Sequence, residues 1–109
     1  MTDTLYVLAQ ISPAANTVTA AYTVPALKST VLSSIFVCNT NVTAQTFCIS
    51  IAIAGAVDAP VQYIYYNLPI LGNDTFVLTT GITLATTDVI NIKANATLIN
   101  FTIFGDEVS

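Results

Sequence analysis

Apolar and polar residues alternate with a period of two along most of this chain, which is the spacing of a β-strand with one buried face. The clearest case is the segment 45–54, where large apolar residues such as Phe47, Ile49 and Ile51 alternate with small uncharged ones. β-Branched and aromatic residues dominate these segments, and Gly, Pro, Asn and Asp interrupt them about every ten residues. The pattern predicts eight strands, over residues 5–11, 17–24, 30–38, 45–54, 62–68, 75–80, 89–94 and 98–104.

Eight short strands predict an all-β fold in which two antiparallel sheets pack face to face as a β-sandwich. The pattern leaves two topologies open, the jelly roll and the immunoglobulin-like sandwich. A length of 109 residues suits one domain with one core, so residues 1–109 are assigned to a single domain. The ends, residues 1–11 and 105–109, are candidate arms onto a neighbouring subunit, and the acidic second end is expected to be exposed.

Charge is scarce, because two lysines and six acids make up only 7% of the chain. The apolar stretches are far shorter than the ~20 residues that cross a bilayer, which predicts no membrane partner. A net charge of −4, with Lys28 and Lys93 far apart, predicts no nucleic-acid partner either. Small uncharged residues stand where Lys and Glu ordinarily protect a sheet, which predicts surfaces that neighbouring subunits cover.

The residue types needed for catalysis are missing. Without histidine, neither a Ser-His-Asp nor a Cys-His arrangement is possible. Two cysteines do not complete a zinc site, and the four glycines are too far apart for a phosphate loop. Asp58, Asp74 and Asp88 fall at predicted turns, where aspartate usually bonds the backbone. We therefore predict no enzyme activity, no catalytic or metal site and no cofactor.

Cys38 and Cys48 flank a short loop between the third and fourth predicted strands. If these strands pair as a hairpin, a cross-strand disulfide is geometrically feasible. The first residues lack the basic and apolar segments of a secretory signal, so we expect synthesis in a reducing cytoplasm. Free, packed thiols are therefore favoured over a disulfide.

A tyrosine cluster at residues 63–66 is the most distinctive local feature. Strict alternation predicts that Tyr63 and Tyr65 share one face of the strand, while Ile64 and Tyr66 share the other. One interpretation places one pair in the core and the other at the rim of a sheet. The second makes the outer pair an anchor of a subunit interface, where tyrosine is enriched. The candidate interface residues are Tyr63, Tyr65, Tyr66, Leu68 and Leu71.

Three segments, YIYYNLPILGNDTF (63–76), GITLATTDVI (81–90) and IFGDEV (103–108), resemble small virion proteins of tailed phages, particularly phages of cyanobacteria and marine bacteria. The resemblance covers roughly residues 30–108 and is strongest from residue 63 onward. Such proteins are labelled as capsid cement or decoration proteins, or as tail or fibre-associated proteins. The resemblance implies a β-sandwich that acts by assembly and carries no enzymatic residues.

From this resemblance we expect a capsid cement or decoration protein, a homotrimer that binds the outer surface of the major capsid protein lattice and stabilises the head. The expected location is the capsid exterior, after assembly in the host cytoplasm. The alternative is a tail, neck or fibre-associated structural protein. A receptor-binding or carbohydrate-binding module would need exposed aromatic residues and flexible loops, and the predicted loops are short.

Overall fold

The computed structural model describes residues 3–79 and 81–108, and within them the chain forms nine strands. Two single 3₁₀ turns, Ile53–Gly55 and Pro60–Gln62, are the helical segments of this part of the chain, and neither is long enough to cross a membrane. The strands are β1 (Asp3–Ile11), β2 (Thr19–Thr23), β3 (Ser29–Asn39), β4 (Gln45–Ala52), β5 (Tyr63–Ile70), β6 (Thr75–Leu78), β7 (Ile82–Leu84), β8 (Val89–Ala94) and β9 (Ile99–Val108).

The strands form two antiparallel sheets that pack face to face, which confirms the predicted β-sandwich. One sheet has the order β1-β9-β3-β6, with β7 also paired to β3, and the other has the order β2-β8-β4-β5. Each strand thus pairs with its counterpart from the other end of the chain, as if one long hairpin with its tip between β4 and β5 were wrapped into two sheets. This is the jelly-roll arrangement, which settles the choice of topology.

The core lies between the two sheets and is almost entirely aliphatic and aromatic. Phe47 on β4 is fully buried, and its ring lies 6.0 Å from that of Phe101 on the opposite sheet. Each such buried side chain contributes about 1.5–3 kcal/mol to folding. The alternation predicted for 45–54 holds at Phe47 and Ile49, but β4 ends at Ala52. Ile53 is 73% exposed, because the backbone turns away from the sheet just before Ala54, which has a φ of 53°.

One strand, β7, is too short to be predicted from the period-two pattern. β7 has only three residues, too few for alternation to be recognised, and Gly81 precedes it. The predicted sixth strand, 75–80, ends at Leu78, and its last residue lies outside the described residues. Both β6 and β7 pair with β3, so together they form one interrupted strand at the edge of the five-stranded sheet.

Within the described residues the two ends of the chain are paired strands of one sheet, and residues 106–108 are half-buried rather than exposed as expected. β1 pairs with β9 from Asp3 opposite Val108 to Ile11 opposite Phe101. Gly105 lies inside β9 rather than ending it, and it is buried. A Cβ atom there would lie 2.7 Å from the Val31 carbonyl oxygen, so glycine allows a close approach between strands.

The cysteines do not belong to a hairpin, because the chain passes from one sheet to the other between them. Cys38 lies on β3 in the five-stranded sheet, and Cys48 lies on β4 in the four-stranded sheet. Both thiols are free, as the sequence favoured.

Two of the three predicted turn aspartates, Asp74 and Asp88, accept hydrogen bonds from backbone N–H groups. The two carboxylate oxygens of Asp88 accept the backbone N–H groups of Ala54 and Ala85, each at 2.9 Å. Asp74 accepts the N–H of Thr75 at 2.8 Å. Within the described residues, no three His, Cys, Asp or Glu side chains are grouped so as to hold a metal ion.

Candidate functional site

The outer face of the five-stranded sheet carries a continuous row of apolar side chains across four strands. Val7 on β1 stands opposite Phe104 on β9, and Phe36 on β3 stands opposite Val77 on β6. The rings of Phe36 and Phe104 join the two pairs edge to face, with centroids 5.6 Å apart. We call Val7, Phe36, Val77 and Phe104 the apolar strip. Three strand spacings give it a length of about 14 Å.

Uncharged residues surround the apolar strip, with a single exception among the described outward residues of this sheet. Thr102 and Cys38 lie beside it, and Asp106 lies two residues beyond Phe104 on the same face. One carboxylate oxygen of Asp106, Oδ1, is inaccessible to solvent and has no hydrogen-bond partner within the described residues. Buried polar atoms are nearly always bonded, so this atom is an unfilled acceptor at the edge of an apolar face.

The tyrosine cluster has a different arrangement from the predicted one. Tyr63 and Tyr66 share the outer face of the four-stranded sheet, with ring centroids 5.1 Å apart and an interplanar angle of 86°. Tyr65 points into the core, where its ring lies 5.4 Å from that of Phe76. The prediction that Tyr63 and Tyr65 share a face is therefore wrong.

Two local changes of register cause this rearrangement. Phe47 pairs with Leu68, Ile49 with Tyr65 and Ser50 with Tyr63, so β5 uses one residue more than β4 at each of two points. The second point lies between Tyr63 and Tyr65 and places these two rings on opposite faces. Asn67 supplies the first irregularity, because its φ of 51° places it in the left-handed region that asparagine tolerates better than most residues. Its backbone N–H lies 3.3 Å from the Cys48 sulfur instead of continuing the ladder.

The five candidate interface residues fall into two groups. Tyr65 and Leu68 pack against the core, so their side chains belong mainly to the interior of the sandwich. Tyr63, Tyr66 and Leu71 remain accessible, and Leu71 is 66% exposed just beyond the end of β5.

A cleft opens on the outer face of the four-stranded sheet, beneath the chain that connects β4 to β5. The turn Ile53–Gly55 contacts β8, and the turn Pro60–Gln62 contacts β4, so this connection folds across the sheet. The outward residues Cys48, Ser50 and Ala52 are buried. The cleft has a volume of about 690 Å³. We call it the tyrosine cleft, and its lining comprises Asp58, Ala59, Pro60, Tyr63, Tyr66 and Lys93.

Opposite charges face the tyrosine cleft without neutralising each other directly. The Tyr63 hydroxyl donates a hydrogen bond of 2.9 Å to Asp58 Oδ2. Desolvation raises the pKa of Tyr63 to about 12, and the bond to Asp58 and its negative charge add to the shift. In the part of the chain that the structure describes, the one ion pair joins Lys28 to Glu107, so the half-buried Lys93 has no carboxylate within 4.0 Å.

Sequence reasoning missed both the apolar strip and the role of Lys93. A signal for the strip exists, because Ile35-Phe36-Val37 and Ile103-Phe104 place apolar residues on both faces of their strands. No local signal brings Lys93 beside Asp58, since β8 and the β4–β5 connection meet only through the sheet pairing.

Comparisons of this chain with protein-family models, with curated proteins and with solved structures found no match. Function is therefore inferred from the two surfaces described above and from their chemistry.

Proposed function

We propose that this chain is a structural virion protein, a capsid cement or decoration protein that forms a homotrimer on the outer surface of the major capsid protein lattice and stabilises the head. The apolar strip carries the proposal, because it is a continuous apolar row on a nearly uncharged sheet face. Jelly rolls are frequent in viral capsid domains, which supports the assignment at the level of fold analogy.

The exposure of the apolar strip supports a role in self-association. Phe36 is 37% exposed, Val77 42% and Val7 43%, and all three lie on one sheet face that a partner could cover. Contiguous apolar surface with a polar rim is typical of protein interfaces. Three strips that face a common axis would give a homotrimer.

One end of the sandwich suits contact with the coat. The β3–β4, β5–β6 and β8–β9 connections meet there, since Thr40 donates to the Leu98 carbonyl and Asn73 donates to the Asn41 carbonyl. Their exposed residues Val42, Leu71 and Leu98, which we call the apolar tip, are 82%, 66% and 56% exposed. In a trimer whose axis runs along the strands, three apolar tips point the same way. Weak contacts repeated over many copies then add to a strong total attachment.

Sedimentation of the isolated protein at micromolar concentration tests the proposal. We expect a trimer for the natural chain and a monomer for Phe36→Lys, because a charge at the centre of the strip must be desolvated when the faces meet. Leu27→Lys is the matched control: Leu27 is 91% exposed outside the strip, so this variant should remain a trimer. A monomeric natural chain, or a trimeric Phe36→Lys variant with unchanged melting temperature, would contradict the proposal.

The copy number in purified particles that carry this chain separates the head from the tail. A cement protein occupies a repeating lattice, so hundreds of copies per particle are expected. A dozen copies or fewer would exclude the cement assignment and favour a tail, neck or fibre-associated protein.

A further inference from the structure

The tyrosine cleft and the apolar strip lie on opposite sheets, so a subunit that associates through the strip leaves the cleft open. We propose that the tyrosine cleft binds a neutral saccharide, with a pyranose ring stacked on Tyr66 and its hydroxyl groups bound by Asp58 and Lys93. The predicted loops are short for such a module, but the β4–β5 connection builds one wall of a cleft against the rings of Tyr63 and Tyr66.

The size and lining of the cleft match a small-ligand site. Its volume of about 690 Å³ lies within the ~300–1,000 Å³ typical of ligand pockets. Such pockets combine aromatic and apolar walls with a few polar groups that fix the orientation of the ligand. Here Tyr63, Tyr66 and Pro60 supply the aromatic and apolar wall, and Asp58 and Lys93 supply the polar groups.

Tyr66 provides a preformed stacking platform. Its side chain is 68% exposed, but Tyr63 supports its ring at a right angle, 5.1 Å away. The neighbouring residue, Asn67, fixes the backbone that turns Tyr66 outward. A tyrosine loses little conformational entropy when it becomes a contact surface. The apolar C–H face of a pyranose is a complementary partner for such a ring.

The polar groups of the cleft complement hydroxyl groups rather than an ion. Asp58 uses Oδ2 to accept the bond from Tyr63, and within the described residues no hydrogen bond reaches its Oδ1. That oxygen is available as an acceptor for a ligand hydroxyl. The ammonium group of Lys93 has three donors and no acceptor, so it binds the oxygen of a hydroxyl. A ligand with several hydroxyls uses both groups at once.

Charged ligands fit the cleft less well. Two tyrosines at right angles beside a carboxylate resemble the aromatic cage that binds a quaternary ammonium. Lys93 lines the same cleft and repels a cation. An acidic sugar would be attracted by Lys93 but repelled by Asp58. The cleft carries one charge of each sign, so it has no net charge that would favour an ion over a neutral ligand.

An NMR titration of the ¹⁵N-labelled protein tests the inference. The probes are glucose, galactose, mannose and N-acetylglucosamine, with choline and glucuronate as charged comparators. We expect millimolar binding of at least one neutral sugar, with amide shifts in residues 58–66 and at Lys93. Tyr66→Ala should weaken this binding about tenfold, and Tyr66→Phe, which keeps the ring, should not.

Two controls make the result specific. Because Tyr66 is mostly exposed, Tyr66→Ala should keep the natural melting temperature, which separates loss of binding from loss of fold. Phe36→Lys on the opposite sheet should bind the sugar unchanged, so failure of the trimer and failure of the cleft are distinguishable. The inference is overturned if none of the four sugars causes shifts at tens of millimolar, if choline or glucuronate binds more tightly than every neutral sugar, or if Tyr66→Ala binds as well as the natural chain.

Discussion

Replacing the side-chain amide of Asn39 is expected to destabilise the fold strongly. Asn39 is fully buried at the end of β3, where the chain leaves one sheet for the other. Its Nδ2 lies 3.0 Å from the Thr43 carbonyl oxygen and 3.2 Å from those of Ile70 and Leu71. Its Oδ1 accepts the backbone N–H of Asn41 at 2.9 Å. One side chain therefore joins the β3–β4 crossing to the end of β5.

Asn39→Asp is the sharpest perturbation, because it keeps the shape and replaces the donor with an oxygen. The two amide hydrogens serve three carbonyl oxygens, so two hydrogen bonds are lost and buried acceptors are left without a donor. Each unsatisfied buried group costs about 1–3 kcal/mol, which gives a loss of about 3 kcal/mol or more at neutral pH. A domain of this size melts about 4 °C lower for each kcal/mol, so the expected shift is about 12 °C or more. The deficit should shrink in acid, where the protonated carboxyl regains a donor.

Thermal and urea unfolding followed by circular dichroism, at one fixed protein concentration, measures this loss. Asn100→Asp makes the same chemical change at an exposed position on β9, and it should stay within about 0.5 kcal/mol of the natural chain. A stability of Asn39→Asp within about 1 kcal/mol of the natural chain would refute the reasoning, since the buried acceptors could not then depend on the amide.

Two further predictions concern a close backbone contact and an ionisation. A Cβ at Gly72 would lie 2.3 Å from the Val42 carbonyl oxygen, so Gly72→Ala should lower the free energy of unfolding by about 1–3 kcal/mol. Gly81→Ala has open space around its Cβ and should be neutral in the same denaturation assay, and equal stabilities would contradict the contact. The pKa of Tyr63 in the folded state, about 12, exceeds its ordinary value of 10.0. The neutral Tyr63 hydroxyl therefore contributes to the stability of the fold, and this contribution is complete below pH 10.0 and is lost as pH rises through about 12. In a tyrosinate absorbance titration, Asp58→Asn should move this pKa part of the way back toward 10.0, and an unchanged titration would exclude a contribution from Asp58.

The alternation of residue types was sufficient to predict two packed sheets but not their pairing. Alternation is a property of each strand alone, and it correctly identifies inward residues such as Phe47, Ile49 and Phe101. The jelly-roll order depends on contacts between strands far apart in sequence, such as Asp3 opposite Val108. The sequence pattern does not show which distant strands pair, so it could not distinguish the jelly roll from the immunoglobulin-like sandwich. The strand order of the structure does.

The prediction that Tyr63 and Tyr65 share a face failed because β5 is irregular at two points. The left-handed Asn67 shifts the alternation once, and a second register shift between Tyr65 and Tyr63 places these two rings on opposite faces. Asparagine within a strand is the available warning, since it adopts this conformation more readily than other non-glycine residues. Once both irregularities are included, Tyr66 faces outward beside Tyr63, which is the pairing that creates the tyrosine cleft.

The sheet edges and the sheet faces of this protein are protected to different degrees, which bears on the self-association that we propose. The edge strands β1, β2 and β5 are irregular, with register shifts between Val7 and Ala9, between Ala20 and Tyr22, and along β5, which also contains Pro69. The remaining edge consists of the short strands β6 and β7. Bulges, proline and short strands all oppose the addition of a foreign strand. The apolar strip has no comparable protection, so association through a sheet face is favoured over strand addition at an edge.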